Sequence, residues 1–180
     1  EILGILSRNS QFNVDKTQLD AWLSEISILK DILTNFEGSI YFEYSIPRMG
    51  RRIDVVLIIK NVIFILEFKI GESNYTASAI DQVWDYALDL KNFHETSHNC
   101  LIAPVLICSN ADDAEIIIAT THHNDNLLYP IKSNATQIRQ VIESVLSFAD
   151  GENINSDEWS NGRYSPTPTI IEAAMSLYNN

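Results

Sequence analysis

The chain has 180 residues, 46% of them hydrophobic and 20% charged, with 12 Lys+Arg against 24 Asp+Glu and a formal net charge of −12. That is about one domain's worth of chain with enough apolar content to close a core, which excludes a disordered polyanion. An isoelectric point near 4.6 excludes a general duplex-coating protein, whose surface must be cationic to displace counterions. No apolar run approaches the ~20 residues of a membrane span, so no membrane partner is expected. Nor does a charged n-region followed by an apolar h-region open the chain. Cys100 and Cys108 share one apolar segment and, within a single strand, stand too far apart to bridge. The expectation is two reduced thiols and a cytoplasmic location.

Residues 1–16 carry no clear period. Thr17–Phe36 is predicted as an amphipathic helix, since Leu19, Trp22, Leu23, Ile26, Leu29 and Leu33 recur on one helical face. Ile40–Ile46 alternates as a strand, with Ile40, Phe42, Tyr44 and Ile46 on one side and Tyr41, Glu43 and Ser45 on the other. A turn over Pro47–Gly50 follows. Arg52–Ile59 and Val62–Lys69 are β-branched runs separated by Lys60-Asn61, the spacing of a two-residue hairpin in which Asn61 tolerates positive φ. Both strands are apolar on both faces, as in a sheet covered on two sides. Thr76–Phe93 reads as a helix, Leu101–Cys108 and Glu115–Thr120 as strands, and Ala135–Ala149 as a third helix. From Asp150 the composition turns to Asn, Ser, Gly and Pro, predicting a connector over Asp150–Pro168 and a short helix over Ile170–Tyr178. The expected organisation is one α/β domain over residues 1–149, a mixed β-sheet flanked by helices on both faces, with 150–180 as connector and short helix.

The chemistry concentrates between Arg52 and Lys69. If the turn at 60–61 has two residues, Ile59 faces Val62 and Asp54 falls directly opposite Glu67, with Lys69 on the same face. Two carboxylates and an amine then converge where the pattern otherwise places Ile63 and Ile65. Facing like charges destabilise a sheet. A hard divalent cation such as Mg²⁺ resolves the conflict, and Lys69 beside it can orient or help deprotonate a water. The competing account is a buried ion pair of Lys69 with Asp54 or Glu67 and no metal. Glu43 falls opposite Asp54 if the 47–50 turn has four residues, and Glu25 sits on the apolar series Trp22, Leu29, Ile32. Each is a candidate extra acid or an ordinary solvated position.

Asp54, then Glu67-x-Lys69 on the next strand, then a helix carrying Gln82-Val83-Trp84-Asp85-Tyr86, resembles the PD-(D/E)xK nuclease superfamily, with Ile53 in place of the usual Pro. The Gln-x-x-x-Tyr helix is similar to that of recombination-repair exonucleases and related restriction-type nucleases. Phe42–Lys69, Ala79–Leu90 and Tyr164–Ala173 resemble the nuclease-like N-terminal region of bacterial proteins that continue into a superfamily 1-type helicase. The resemblance implies a restriction-endonuclease-like fold and Mg²⁺-dependent (or Mn²⁺-dependent) phosphodiester hydrolysis of DNA. Asp54, Glu67 and the Phe68 carbonyl would ligate the metal, Lys69 would activate the water, and Gln82 and Tyr86 would steady the site or a phosphate. A downstream helicase-type domain would be a covalent partner. This chain itself has no phosphate-binding Gly-x-x-x-x-Gly-Lys-Ser/Thr loop. Five basic residues (Arg48, Arg51, Arg52, Lys60 and Lys69) give the 48–69 stretch a local positive sum, and the three arginines are the expected nucleic-acid contacts.

The alternative from another class is a catalytically silent DNA- or protein-docking module with the same fold. A third reading is a zinc hydrolase, because His94-Glu95-Thr96-Ser97-His98 matches His-Glu-x-x-His; it requires that this stretch stay helical. His122, His123 and Asp125 read as a solvated loop, and Trp159 and Tyr164 as anchors of the tail on the domain or a partner.

Overall fold

The computed structural model describes residues 16–47, 49–123, 125–168, 170–171 and 174–175. Nine regular elements position the site: α1 (Lys16–Ile32), β1 (Ser39–Ile46), β2 (Arg51–Ile59), β3 (Val62–Lys69), α2 (Ala77–Phe93), β4 (Leu101–Cys108), β5 (Ile131–Ser133), α3 (Ile138–Phe148) and α4 (Ser156–Ser160). The strands form one open mixed sheet in the order β1-β2-β3-β4-β5. β1, β2 and β3 are antiparallel neighbours, while β4 and β5 continue in parallel. The helix expected over 17–36 ends in a 3-10 turn, Leu33–Asn35. The helix expected over 170–178 falls largely outside the described residues, as does Arg48.

The hairpin register is the one that a two-residue turn demands. Ile59 pairs with Val62 and Val55 with Leu66. The left-handed residue in the turn is Lys60, at φ 53°, not Asn61 as expected. Central strands β2, β3 and β4 are apolar on both sides because both sides are covered. Val55, Leu57, Phe64, Leu66, Val105 and Ile107 pack with Leu29 of α1 and with Ile138, Val141, Ile142 and Val145 of α3. Val56, Ile58, Ile63, Ile65 and Leu106 pack with Ala79, Val83, Tyr86, Ala87 and Leu90 of α2. Arg139 of α3 donates to the carbonyls of Ile32 and Asp31, satisfying the open end of α1 and tying the two helices of that face together. At the base of β1, a Cβ on Gly38 would lie 2.1 Å from the Ile58 carbonyl oxygen, so only glycine lets the strands approach there.

Two sequence expectations change. Regular alternation along β1 fails at Glu43: Phe42 packs with the α1/α3 side, whereas Tyr44 and Ile46 pack with the α2 side. The cause is local, because Glu43 adopts φ 51° and interrupts the ladder between Phe42↔Val55 and Tyr44↔Ile53. The strand expected over Glu115–Thr120 is absent, apart from a single bridge between Thr120 and Leu128. The margin of β4 is already taken by Leu127, bridged to Ile102, and by β5. Ile116 and Ile118 therefore pack against the core without a ladder to join.

The segment after Asp150 returns across the domain. Ile154 N donates to the Lys60 carbonyl, Glu95 N to Arg163 and Ser165 N to Phe93. Asn155 caps α4, whose Trp159 is 1% exposed. The Trp159 ring sits 5.1 Å from Tyr44, 5.2 Å from Tyr41 and 4.9 Å from His94. Its Nε1 donates to Ser97 Oγ, which also bonds His94 Nδ1 at 2.7 Å. The tail anchor expected at Trp159 is thus on the domain itself, inside the α2-side core.

Removing that ring leaves a cavity under three others, so Trp159→Ala should lower unfolding free energy by about 3–5 kcal/mol in a urea titration. Burial and the neighbouring His98 hold the His94 pKa down, at about 4. A depressed imidazole contributes its stability above its unfolded value and loses it as pH falls from ~6.5 through ~4. The stability difference between wild type and His94→Phe should therefore shrink across that window, which denaturant titrations at several pH values will measure.

Candidate active site

The β2–β3 ladder ends at Val55↔Leu66, and the site begins one residue further on. Asp54 Oδ2 accepts from Phe68 N at 2.8 Å, so the side chain stands where a strand partner's carbonyl would. A strand residue's N–H and C=O point to the same side, so the Phe68 carbonyl is directed toward this gap as well. Continuing the observed register places Glu67 across from Asp54, and Glu67 is 3% exposed. Lys69, two residues on, turns back to the same face and its Nζ donates to Glu67 Oε1 at 2.8 Å.

α2 completes this side. Thr76 caps the helix through Ala79 N, and its packing against β3 brings Gln82 and Tyr86, one turn apart, over Lys69. Lys69 Nζ donates to Gln82 Oε1 at 3.0 Å, and Gln82 Nε2 donates to Tyr86 Oη at 2.9 Å. Tyr86 is 2% exposed, so it orients Gln82 from inside the core and does not face a substrate. Asp54, Glu67, Lys69, Gln82 and Tyr86 are all brought to one end of the hairpin.

α1 supplies what the strand pattern alone leaves undecided. Trp22, 3% exposed, donates from Nε1 to Glu43 Oε1 at 2.8 Å, and Arg52 pairs with Glu43 Oε2 at 3.1 Å. One turn along α1, Glu25 is 6% exposed and lies within the field of Glu43, Glu67 and Asp54. Burial, then Glu43 and Glu67, push its carboxyl up to about 7. Burial, then Glu67 and Glu25, raise Asp54 well above the carboxylate range against the bond from Phe68 N. Burial raises Glu67 too, opposed by the hydrogen bond and charge of Lys69. Burial works to lower Lys69, but Glu67 and Asp54 outweigh it and hold the amine protonated. Trp22 is the residue that sequence reasoning treated as core only; its spacing of three from Glu25 was the signal that both face the sheet.

The other candidates separate clearly. Arg51 and Arg52 are exposed, and Arg52 is engaged by Glu43. The zinc reading fails on geometry: α2 stops at Phe93, Glu95–Ser97 is a 3-10 turn, and His94 is fully buried between Ser97 and Tyr44. Among the described residues, no three His, Cys, Asp or Glu side chains stand together as a ready metal ligand set. The donors nevertheless suit a hard cation: Glu67 Oε2 is buried with no hydrogen-bond partner, and it lies beside the Asp54 carboxylate and the gap that the Phe68 carbonyl faces. Among the described residues no helix is long and apolar enough to cross a membrane.

Because the Glu25 carboxyl is raised above its unfolded value, it destabilises the fold progressively as pH climbs from about 4.5 to about 7. Glu25→Gln should be more stable than wild type at pH 8.5 in the presence of a chelator, by about 2–3 kcal/mol, with the gap closing by pH 5. Urea unfolding at both pH values measures this.

Neither a family model nor a curated protein matches the chain, so a functional assignment rests on the arrangement of these side chains.

Proposed function

We propose that this chain is the restriction-endonuclease-like nuclease domain of a larger DNA-processing protein, cleaving DNA phosphodiesters with Mg²⁺ or Mn²⁺. One observation carries the proposal: Asp54, Glu67 and Lys69 converge at the end of the hairpin, with a buried Glu67 oxygen that no donor satisfies set against the Asp54 carboxyl. Asp54, Glu67 and the Phe68 carbonyl would hold the cation, oxygen donors of the kind hard cations take, with Glu25 in their electrostatic field. When bound, the cation supplies Lewis acidity toward the scissile phosphate and a more acidic water. Lys69, kept as an ammonium by the acids beside it, orients that water and offsets charge building on the phosphate oxygens. Gln82 fixes the Lys69 amine, and Tyr86 fixes Gln82. Exposed Arg51 is placed to meet the backbone of a nucleic acid, and the acidic remainder of the surface makes that contact weak and salt-sensitive. A covalent helicase-type domain downstream, in the cytoplasm, belongs to the same proposal.

A docking module without catalysis is the second reading, and the Lys69–Glu67 ion pair favours it, because that pair lets the site close without a metal. Plasmid and oligonucleotide cleavage separates the two. Wild type should cut DNA with Mg²⁺ or Mn²⁺ and not with chelator. Lys69→Ala and Asp54→Asn should each reduce the rate at least ~100-fold while leaving the fold intact by circular dichroism. If wild type and Lys69→Ala are equally inert yet bind DNA alike, the docking reading stands.

A further inference from the structure

Glu43 is the one residue at the site whose backbone is under strain. It sits within β1 at φ 51°, a left-handed conformation that non-glycine residues rarely adopt and that persists only where surrounding contacts impose it. Those contacts come from two elements. Trp22 of α1 holds one carboxylate oxygen and Arg52 of β2 holds the other. The strain also falls at the one break in the β1–β2 ladder, between Phe42↔Val55 and Tyr44↔Ile53. Across that break both strands exchange faces: Phe42 and Val55 go to the α1/α3 side, Tyr44 and Ile53 to the α2 side. Asp54 is the β2 residue opposite Glu43 in this register. It is released from the regular pleat there, and its carboxylate reaches Phe68 N.

We infer that Glu43 is a positioning residue and not a cation ligand: pinned between Trp22 and Arg52, it fixes the ladder break that aims Asp54 into the gap beside Phe68, and it docks α1 so that Glu25 borders the same gap. Both Glu43 oxygens are already occupied, so it acts on the site through Asp54 and the α1 backbone. This assignment rests on the cation-dependent function proposed above. It also distinguishes Glu43 from Glu25, whose carboxyl lies in the field of Glu43, Glu67 and Asp54.

Calorimetric titration of the full chain with Mn²⁺ alone tests the assignment. Wild type should take up Mn²⁺. Glu43→Ala and Trp22→Phe should each weaken uptake about tenfold, the usual scale for losing a partner that orients a ligand. The double variant should lose little more than either single change, because both remove one clamp. Glu43→Gln retains an acceptor for Trp22 and should lose less than Glu43→Ala. Thermal unfolding of each variant confirms that it is folded at the titration temperature; a purely structural role would move that transition and leave Mn²⁺ affinity unchanged. Unaltered affinity in Glu43→Ala overturns the inference. So does weakened affinity in both Glu43 variants alike with none in Trp22→Phe, the pattern of a direct ligand. Absence of uptake by wild type itself removes the cation-dependent function, and the positioning role with it, before any variant is compared.

Discussion

Crowding of Asp54, Glu67 and Glu25 at the end of one hairpin, with a single lysine bonded to Glu67, is the constraint that organises this end of the molecule. Each carboxylate loses water, and removing an ion from water costs several kcal/mol even after relaxation. One ammonium cannot offset three anions. Burial and mutual repulsion raise the Glu25 and Asp54 carboxyls, and one Glu67 oxygen is left without a hydrogen-bond donor. Such an arrangement lowers stability, and a fold retains it only where the crowding itself is useful.

The elements around the cluster make sense as means of keeping it crowded. A tight hairpin sets Asp54 and Glu67 against each other, and the end of the ladder at Val55↔Leu66 opens the space between them. From one side, α2 delivers Gln82 and its buried support Tyr86 onto Lys69. From the other, α1 delivers Glu25, with its far end held by Arg139. No member of the set is free to swing away, since each is bonded to a residue on a neighbouring element or walled in by the core. That fixed geometry, and not the identity of any one acid, is what keeps these groups preorganised.

Much of this arrangement is legible in the sequence. Two-residue spacing at Lys60-Asn61 dictated the hairpin register, and the register placed Asp54, Glu67 and Lys69 together without knowledge of the fold. The 3.6-residue period located α1, α2 and α3 to within a few residues at each end. What eluded the sequence were places where a distant contact overrides a local preference. Nothing in Ser39–Ile46 signals that Glu43 turns left-handed, and its carboxylate partners, Trp22 and Arg52, come together with it only in the fold. The run 115–120 has strand composition but no vacant margin to pair with, whereas Ile131–Ser133, too short to stand out, found one. Asn, Ser, Gly and Pro around Trp159 suggested an open connector, although a single indole and a few backbone bonds suffice to lay that segment on the core.

Strands β2 and β3, apolar on both faces, have an implication for the chain before it closes. Val55–Leu66 joins two β-rich stretches through a two-residue bend, a composition that pairs readily with identical segments of other molecules. Arg51 and Arg52 stand at one boundary of that hairpin and Lys69 at the other, charges of the sort that discourage intermolecular stacking. The surplus of acidic groups elsewhere adds mutual repulsion between nascent copies. The acidity of the chain thus also serves as colloidal protection for one of the stickiest hairpins the molecule must assemble.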